Sequence, residues 1–299
     1  MEKAVHNSVL VTGAGGFLGT HTADLLEEKG WRVLRGTRQE CTDGSSIVVD
    51  VSSPIEAAAL PFAVSAVVHL AAAVPAVFTG QEAGSARLFP VNLGGTYHAL
   101  ELARAVGAKV FVYASSMSVY GRPESLPVRE DAPCAFAGPA AYYSLSKFAG
   151  ESLCGEYGRK REMHCAMLRF SSIYGPGMKS GGVLTRFLEK CRAGEPIEIF
   201  CDGSGSSDFL FVRDAAEAIA LALADRAAGV YNIGSGEETT LLELANTARE
   251  VSGASNEVRI LRRGAPSRFV MDISRAKEEI GFEPRTALRE GLQRLVSSM

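Results

Sequence analysis

Tyr143 and Lys147 stand four residues apart in the run Tyr143-Ser-Leu-Ser-Lys147. On a helix that spacing places both on one face, about 5–6 Å apart between Cβ atoms. An ammonium beside a phenol stabilises the phenolate, and an ordinary tyrosine titrates near pH 10. A phenol brought down towards neutrality becomes a competent general acid and base. Tyr142 is five residues from Lys147 and points to another face. A second cluster, Ser115-Ser116-Met117-Ser118-Val119-Tyr120-Gly121, directly follows an apolar run that reads as a strand. Ligands of doubly wound sheets bind beyond the carboxyl ends of strands, where a serine hydroxyl can donate to a substrate oxygen while Tyr143 exchanges its proton. Each cluster has a plainer reading by itself, a packed tyrosine with a snorkelling lysine and a serine-rich turn. Together they read as one proton-transfer site.

A third group is built of glycines. Thr12-Gly13-Ala14-Gly15-Gly16-Phe17-Leu18-Gly19 lies between an apolar strand and an amphipathic pattern through Leu18, Leu25 and Leu26. A tight turn needs a residue without Cβ, the backbone must approach a pyrophosphate closely, and the helix must pack near the strand. The helix N-terminus then offers free N–H groups to the phosphates. The end of the second strand usually chooses between the two nicotinamide dinucleotides, because an acid there holds the adenosine 2′-hydroxyl. Here the segment is Trp31-Arg-Val-Leu-Arg35-Gly-Thr37-Arg38, and the first acid beyond it is Glu40. A guanidinium without a carboxylate welcomes a 2′-phosphate. The expectation is NADP rather than NAD, held by Arg38 in preference to Arg35.

The elements that must position these groups alternate. Residues 8–12, 31–34, 47–49, 66–70 and 110–113 read as buried strands, and 93–106 and 140–156 as helices. Continuous apolar strands alternating with helices imply a Rossmann-type, doubly wound parallel sheet of the α/β class. After about Tyr174 the pattern loosens. Helices are expected at 184–192, 214–223, 241–251 and 287–296, and short strands at 197–200 and 230–233. The layout expected is a dinucleotide-binding domain over residues 1–172 and a smaller α/β substrate-binding part over 173–299. Its boundary is interleaved.

Composition narrows the class. Of the 299 residues 46% are hydrophobic and 22% charged, which excludes a disordered or fibrous chain. The formal net charge of −3 leaves no basic footprint for nucleic acid. Cys41, Cys134, Cys154, Cys165, Cys191 and Cys201 show no CxxC spacing, so neither zinc nor any other metal is expected. The apolar run 64–78 is too short and interrupted to span a bilayer, and the N-terminus lacks a secretory apolar segment. Reduced thiols and a cytoplasmic location are the expectation. His6, His21, His98 and His164 have no metal-binding partner spacing, and His69 is expected to pack near the dinucleotide. Asp202, Asp208 and Asp214 fall six apart, with Asp214 read as a helix cap rather than a metal ligand.

With these motifs in order, the chain resembles the extended short-chain dehydrogenases/reductases of the NAD-dependent epimerase/dehydratase family. The matches run from the glycine loop through Asp50-Val51, Val68-His-Leu-Ala-Ala72, Val91-Asn-Leu-Gly-Gly-Thr96, the serine cluster and the Tyr143–Lys147 pair. They continue through Arg169 to Pro176, Asp202 to Asp214, Tyr231-Asn-Ile-Gly-Ser-Gly236 and Gly281-Phe-Glu-Pro284. The resemblance implies that Ser116, Tyr143 and Lys147 are catalytic and that Ser118 touches substrate. It also implies that Asp50 and Val51 sit by the adenine and that Leu70, Ala71 and Ala72 line the dinucleotide. Asn92 supports the active-site helix, Lys147 binds the nicotinamide ribose, and Phe170 and Ile173 flank the nicotinamide. A homodimer through paired helices is a family habit.

Departures narrow the chemistry implied. Family dehydratases resemble Thr-Asp-Glu where this chain has Ser116-Met117-Ser118, which disfavours water elimination, and the extra Cys of the 3,5-epimerising reductases is absent from this loop. Ser172 replaces a phosphate-contacting Asn and Ser207 a diphosphate-binding Arg, whereas Arg268 still matches a nucleotide-diphosphate arginine. Arg213 is a substitute cation or a surface residue at a helix start. The expected function is hydride transfer at a sugar hydroxyl or carbonyl carbon, foremost as a nucleotide-sugar 4-ketoreductase. A nucleotide-sugar C4 epimerase with tightly held NAD, a reductase of a small non-nucleotide carbonyl, and a non-catalytic dinucleotide sensor are the alternatives.

Overall fold

The computed structural model describes residues 7–39, 46–75, 85–138, 140–161 and 163–299. His6, Glu40, Cys41 and the end of the apolar run at 76–78 lie outside them. Strands β1 (Ser8–Thr12), β2 (Arg32–Thr37), β3 (Ser46–Val48), β4 (Ala66–His69), β5 (Val110–Ser116), β6 (His164–Phe170) and β11 (Gly229–Ile233) form one sheet, every pair parallel, in the order β11-β6-β5-β4-β1-β2-β3. The reversal of strand order between β1 and β4 opens a crevice at their carboxyl ends, the usual ligand position in such sheets.

Period-two alternation buries both faces. Val9, Val11, Ala66, Val68, Val112 and Leu168 join Leu25 and Leu26 of α1 (Phe17–Glu28) and the alanine-rich α5 (Val212–Ala224). Leu10, Val67, Phe111 and Cys165 face the opposite way, onto α2 (Gly95–Ala105) and α3 (Ala141–Arg161). Strands covered on both sides have no polar face, which is why they read as continuous apolar runs.

A second core gathers α4 (Val183–Ala193), α6 (Leu241–Ser252) and α8 (Leu288–Ser297) around Phe187, Leu188, Ile197, Leu244 and Leu292. Short strand pairs surround it: β7 (Ser172–Tyr174) with β10 (Phe209–Phe211), β8 (Ile197–Ile199) with β13 (Val258–Ile260), and β9 (Ser206–Ser207) with β12 (Thr239–Thr240). Helix α7 (Ser274–Ile280) returns to the main core through Ala276 and Ile280. The large sheet and its cover thus draw on segments from both sides of residue 172.

Several sequence expectations change. Strand β6, with its apolar run Cys165-Ala-Met-Leu168, is an element that the sequence reading did not name. The strand expected at 230–233 belongs to the large sheet as β11, beside β6. The helix expected at 93–106 opens as a π-helical turn, Phe89–Gly94, before α2 begins at Gly95. The close approach of Val51 explains Gly95, where an added Cβ would lie 2.8 Å from Val51 Cγ2. Asp214 does not cap: Phe211 holds the N-cap position of α5, and Asp214, in the first turn, accepts from the Thr286 N–H at 2.9 Å. It ties the chain before α8 to α5.

Candidate active site

The glycine turn is shaped by two backbone collisions it avoids. Gly13 has φ +73°, and a Cβ there would lie 2.7 Å from the Ala71 nitrogen, so the turn after β1 rests against the chain after β4. A Cβ on Gly19 would lie 2.1 Å from the Gly13 carbonyl oxygen. Gly16 caps α1 without a side-chain hydrogen bond, leaving the first N–H groups of the helix without helical partners, while Gly15 is exposed. Phe17 and Leu18 start the helix. The cradle therefore fits a pyrophosphate, at the strand-order reversal where one belongs.

Around it, Leu70, Ala71 and Ala72 follow β4 and are half-buried. Asn92, buried in the π-helical turn, accepts from Ala73 N–H at 2.7 Å and donates to Ala73 O and to Ser146 Oγ, each at 3.0 Å. Its amide fixes the strap after β4 to the helix bearing Lys147. His69 is fully buried, shares a 2.7 Å hydrogen bond with Thr12, and stacks on Tyr113. Desolvation first, and the Lys147 charge second, lower its pKa to about 3.

At the end of β2 the two arginines separate. Arg35 donates to Glu27 and Asp24 of α1, its Nη2 at 2.8 and 2.7 Å. Arg38 is exposed, and its charge reaches Asp50 together with that of Arg87. The Asp50 carboxylate accepts from Ser52 N–H and Oγ, and these bonds hold it below the usual carboxylate range. Val51 is buried beside it.

Ser116, Tyr143 and Lys147 do converge. Ser116 ends β5, opposite Phe170 at the end of β6, and its Oγ accepts from Ser118 N–H at 3.2 Å. Tyr143 is 9% exposed and hydrogen-bonded to Ser116, while Tyr142 on the other face is 62% exposed. The Lys147 Nζ donates to the Ala114 carbonyl at 2.8 Å and lies 5.9 Å from the centre of the Tyr143 ring. The electrostatics correct the expectation of an acidified phenol. Burial pushes Tyr143 up to about 12, only partly opposed by the Ser116 hydrogen bond. Lys147 is itself pushed down to about 8 by burial, with Glu151 and Cys154 pulling it back up. Desolvation wins at both groups: the Lys147 ammonium is turned onto a strand carbonyl, and no contribution from its charge offsets the burial of the phenol.

The groups assigned to substrate make contacts of their own. Ser118 Oγ is buried without a hydrogen-bond partner among the described residues. Ser172 Oγ and Ser207 Oγ lie 3.1 Å apart, so the two departures from the family pattern face each other. Ile173, next to Ser172 in β7, packs on the main core. Arg268 donates to both Glu238 oxygens, at 2.6 and 2.7 Å. Arg213 pairs with Glu28 of α1 and is a surface residue, not a substitute cation in the cleft. Asp202 accepts from Ser204, while buried Asp208 accepts from Ser235 and from the Gly236 and Met271 N–H groups. Sequence reasoning passed over Glu151, which approaches Lys147, and Glu238, which occupies Arg268. Glu151 was legible as a carboxylate one helical turn after Lys147.

The NAD dependent epimerase/dehydratase family profile matches residues 9–234. The chain belongs to that family and is an NAD(P)-dependent enzyme of the extended short-chain dehydrogenase/reductase type. Among curated relatives it is 32% identical to a UDP-glucose 4-epimerase of Mycolicibacterium smegmatis, over 96% of each chain. Among solved structures it resembles MoeE5 in complex with UDP-glucuronic acid and NAD, at 31% identity and a TM-score of 0.84, over 97% of this chain and 98% of that one. It also resembles RMD from Pseudomonas aeruginosa complexed with NADPH, at 27% identity and a TM-score of 0.81, over 98% of each. Neighbours of this fold thus bind NAD or NADPH. Among the described residues no helix is long and apolar enough to cross a membrane.

Proposed function

We propose that this enzyme transfers hydride at C4 of a nucleotide-linked sugar, foremost as an NADPH-dependent 4-ketoreductase. The observation carrying the reductase reading is the end of β2, where exposed Arg38 is available to a 2′-phosphate. Nucleotide-sugar binding is drawn from relatives that act on or are complexed with UDP-sugars.

Residues of this chain would do the following. The turn at Gly13, Gly15, Gly16 and Gly19 binds the pyrophosphate, with Asp50 and Val51 at the adenine end and Phe170 at the nicotinamide end. The bound dinucleotide supplies the hydride. Ser116 orients the substrate oxygen, and Ser118, Ser172 and Arg268 hold the substrate. Tyr143, protonated at neutral pH because burial raises it to about 12, donates its proton to the oxygen that reduction makes basic. Lys147 supplies the positive charge that stabilises the phenolate left behind.

A second reading, a C4 epimerase, is favoured by the 4-epimerase among the relatives. It uses the same groups twice, with Tyr143 first accepting and then returning the proton. Cofactor content separates the two. A protein purified empty that takes NADPH in preference to NADH, and consumes it with a UDP-4-ketosugar, is the expected result. Tightly retained NAD with interconversion of UDP-glucose and UDP-galactose would overturn the reductase reading in favour of the epimerase.

A further inference from the structure

Behind Lys147 lies a buried ion pair that the reaction scheme leaves unused. Arg169 on β6 and Glu151 on α3 are each 5% exposed at the side chain. Arg169 Nε donates to Glu151 Oε1 at 2.9 Å and Nη2 to Oε2 at 2.7 Å. Ser115, next to Ser116, donates to the same Oε1. The remaining Arg169 nitrogen donates to the Tyr120 hydroxyl and the Glu130 carbonyl. A buried pair of this kind is costly to desolvate, and apolar replacements are often no less stable, so fold stability is a weak reason for it.

Its placement supplies a better reason. Glu151 follows Lys147 by one helical turn on the same face. The charged and titratable groups around Lys147 are few. Its own helix offers Tyr143, Glu151 and Cys154, β5 offers Tyr113 with its ring 5.1 Å from Nζ, and β4 offers His69, neutral through burial. Strand β6 offers Arg169, bonded through Glu151, and the π-helical turn only the uncharged Asn92. Among the described residues Glu151 is the one carboxylate acting on Lys147.

We propose that Glu151 is a positioning residue for the reaction: its charge, partly offset by Arg169, keeps Lys147 an ammonium and so fixes the charge against which Tyr143 works. This rests on the assignment of Tyr143 and Lys147 to the reaction. Burial alone drives the Lys147 pKa towards the working range, which makes one neighbouring anion decisive. Neutralising Glu151 leaves the Arg169 cation uncompensated, so the ammonium is lost at lower pH. Removing both charges cancels most of that change.

The test is a pH titration of the Lys147 13Cε resonance in the full-length protein, assigned by its disappearance in Lys147→Met. Glu151→Gln is expected to lower the midpoint by at least about one unit. The double variant Glu151→Gln/Arg169→Met returns it most of the way. Glu151→Asp, which keeps the charge, leaves it within a few tenths while lowering thermal stability. Should Glu151→Gln not fold, Arg169→Met, which leaves the Glu151 carboxylate without its cation, is expected to raise the midpoint by at least about one unit, and an unmoved midpoint there would overturn the proposal. Midpoints unmoved by Glu151→Gln, or an Asp variant shifted as far as Gln, would overturn the proposal. Turnover of Lys147→Met is measured separately. Full retention would remove Lys147 from the reaction, whatever the titration shows.

Discussion

In the proposed reaction Tyr143 is the side chain that moves the proton. Replacing it by Phe is expected to lower turnover by about 10²- to 10⁴-fold, while Tyr142→Phe, on the exposed face, leaves it within twofold. Both are read from NAD(P)H absorbance with a UDP-4-ketosugar, alongside calorimetric dinucleotide binding that neither change disturbs. The arginines at the end of β2 make a second residue-level contrast. Arg35 is spent on Glu27 and Asp24, so Arg35→Ala leaves the ratio of NADPH to NADH affinity unchanged. Arg38→Ala is expected to lower that ratio at least tenfold, the loss of about 1.4 kcal/mol of charged contact. An unchanged ratio removes Arg38 from the cofactor site.

At the scale of elements, the turn between β1 and α1 and the middle of α3 place opposite demands on glycine. Gly19→Ala drives a Cβ into the Gly13 carbonyl and dismantles the cradle. Titration calorimetry is expected to show dinucleotide binding lost, with the thermal midpoint lowered. Gly155 lies inside α3 with nothing within 4 Å of an added Cβ. There Gly→Ala is expected to stabilise the protein by about 0.5–1 kcal/mol in urea unfolding, since only the helix penalty of glycine is removed. The same contrast separates a glycine kept for a ligand from one that is merely tolerated.

Across the whole molecule, the buried His69 ties β1 to β4 beneath the crevice and links fold stability to acid. Its folded pKa of about 3 lies below the value near 6.5 of an unfolded chain. The unfolded state therefore binds the proton first, and the stability from keeping His69 neutral is complete above pH 6.5 and lost as pH falls towards 3. Between pH 6.5 and pH 4.5 this group alone contributes a loss of about 2–3 kcal/mol. A His69→Gln protein is expected to start less stable at neutral pH and to show a shallower decline across that window. Equal slopes for the two proteins would assign acid unfolding elsewhere.

The chain's own order of residues made legible five strands of the sheet, the glycine turn and the convergence of Ser116, Tyr143 and Lys147, because each is a local pattern: an apolar run buried on both faces, a turn without Cβ, a four-residue helical spacing. Strand β6 and the place of β11 escaped it, since what makes them strands is pairing with neighbours distant in sequence. The roles of the arginines escaped it for the same reason. Arg35, Arg213, Arg169 and Arg268 each meet a carboxylate from another element, and only the folded chain brings Glu27, Glu28, Glu151 and Glu238 to them. The charge state of the site belongs to the tertiary structure too. Spacing alone places an amine near a phenol, but burial decides that Tyr143 stays protonated and that the Lys147 pKa falls. Desolvation depends on everything packed around a group, and that information is spread over the whole fold.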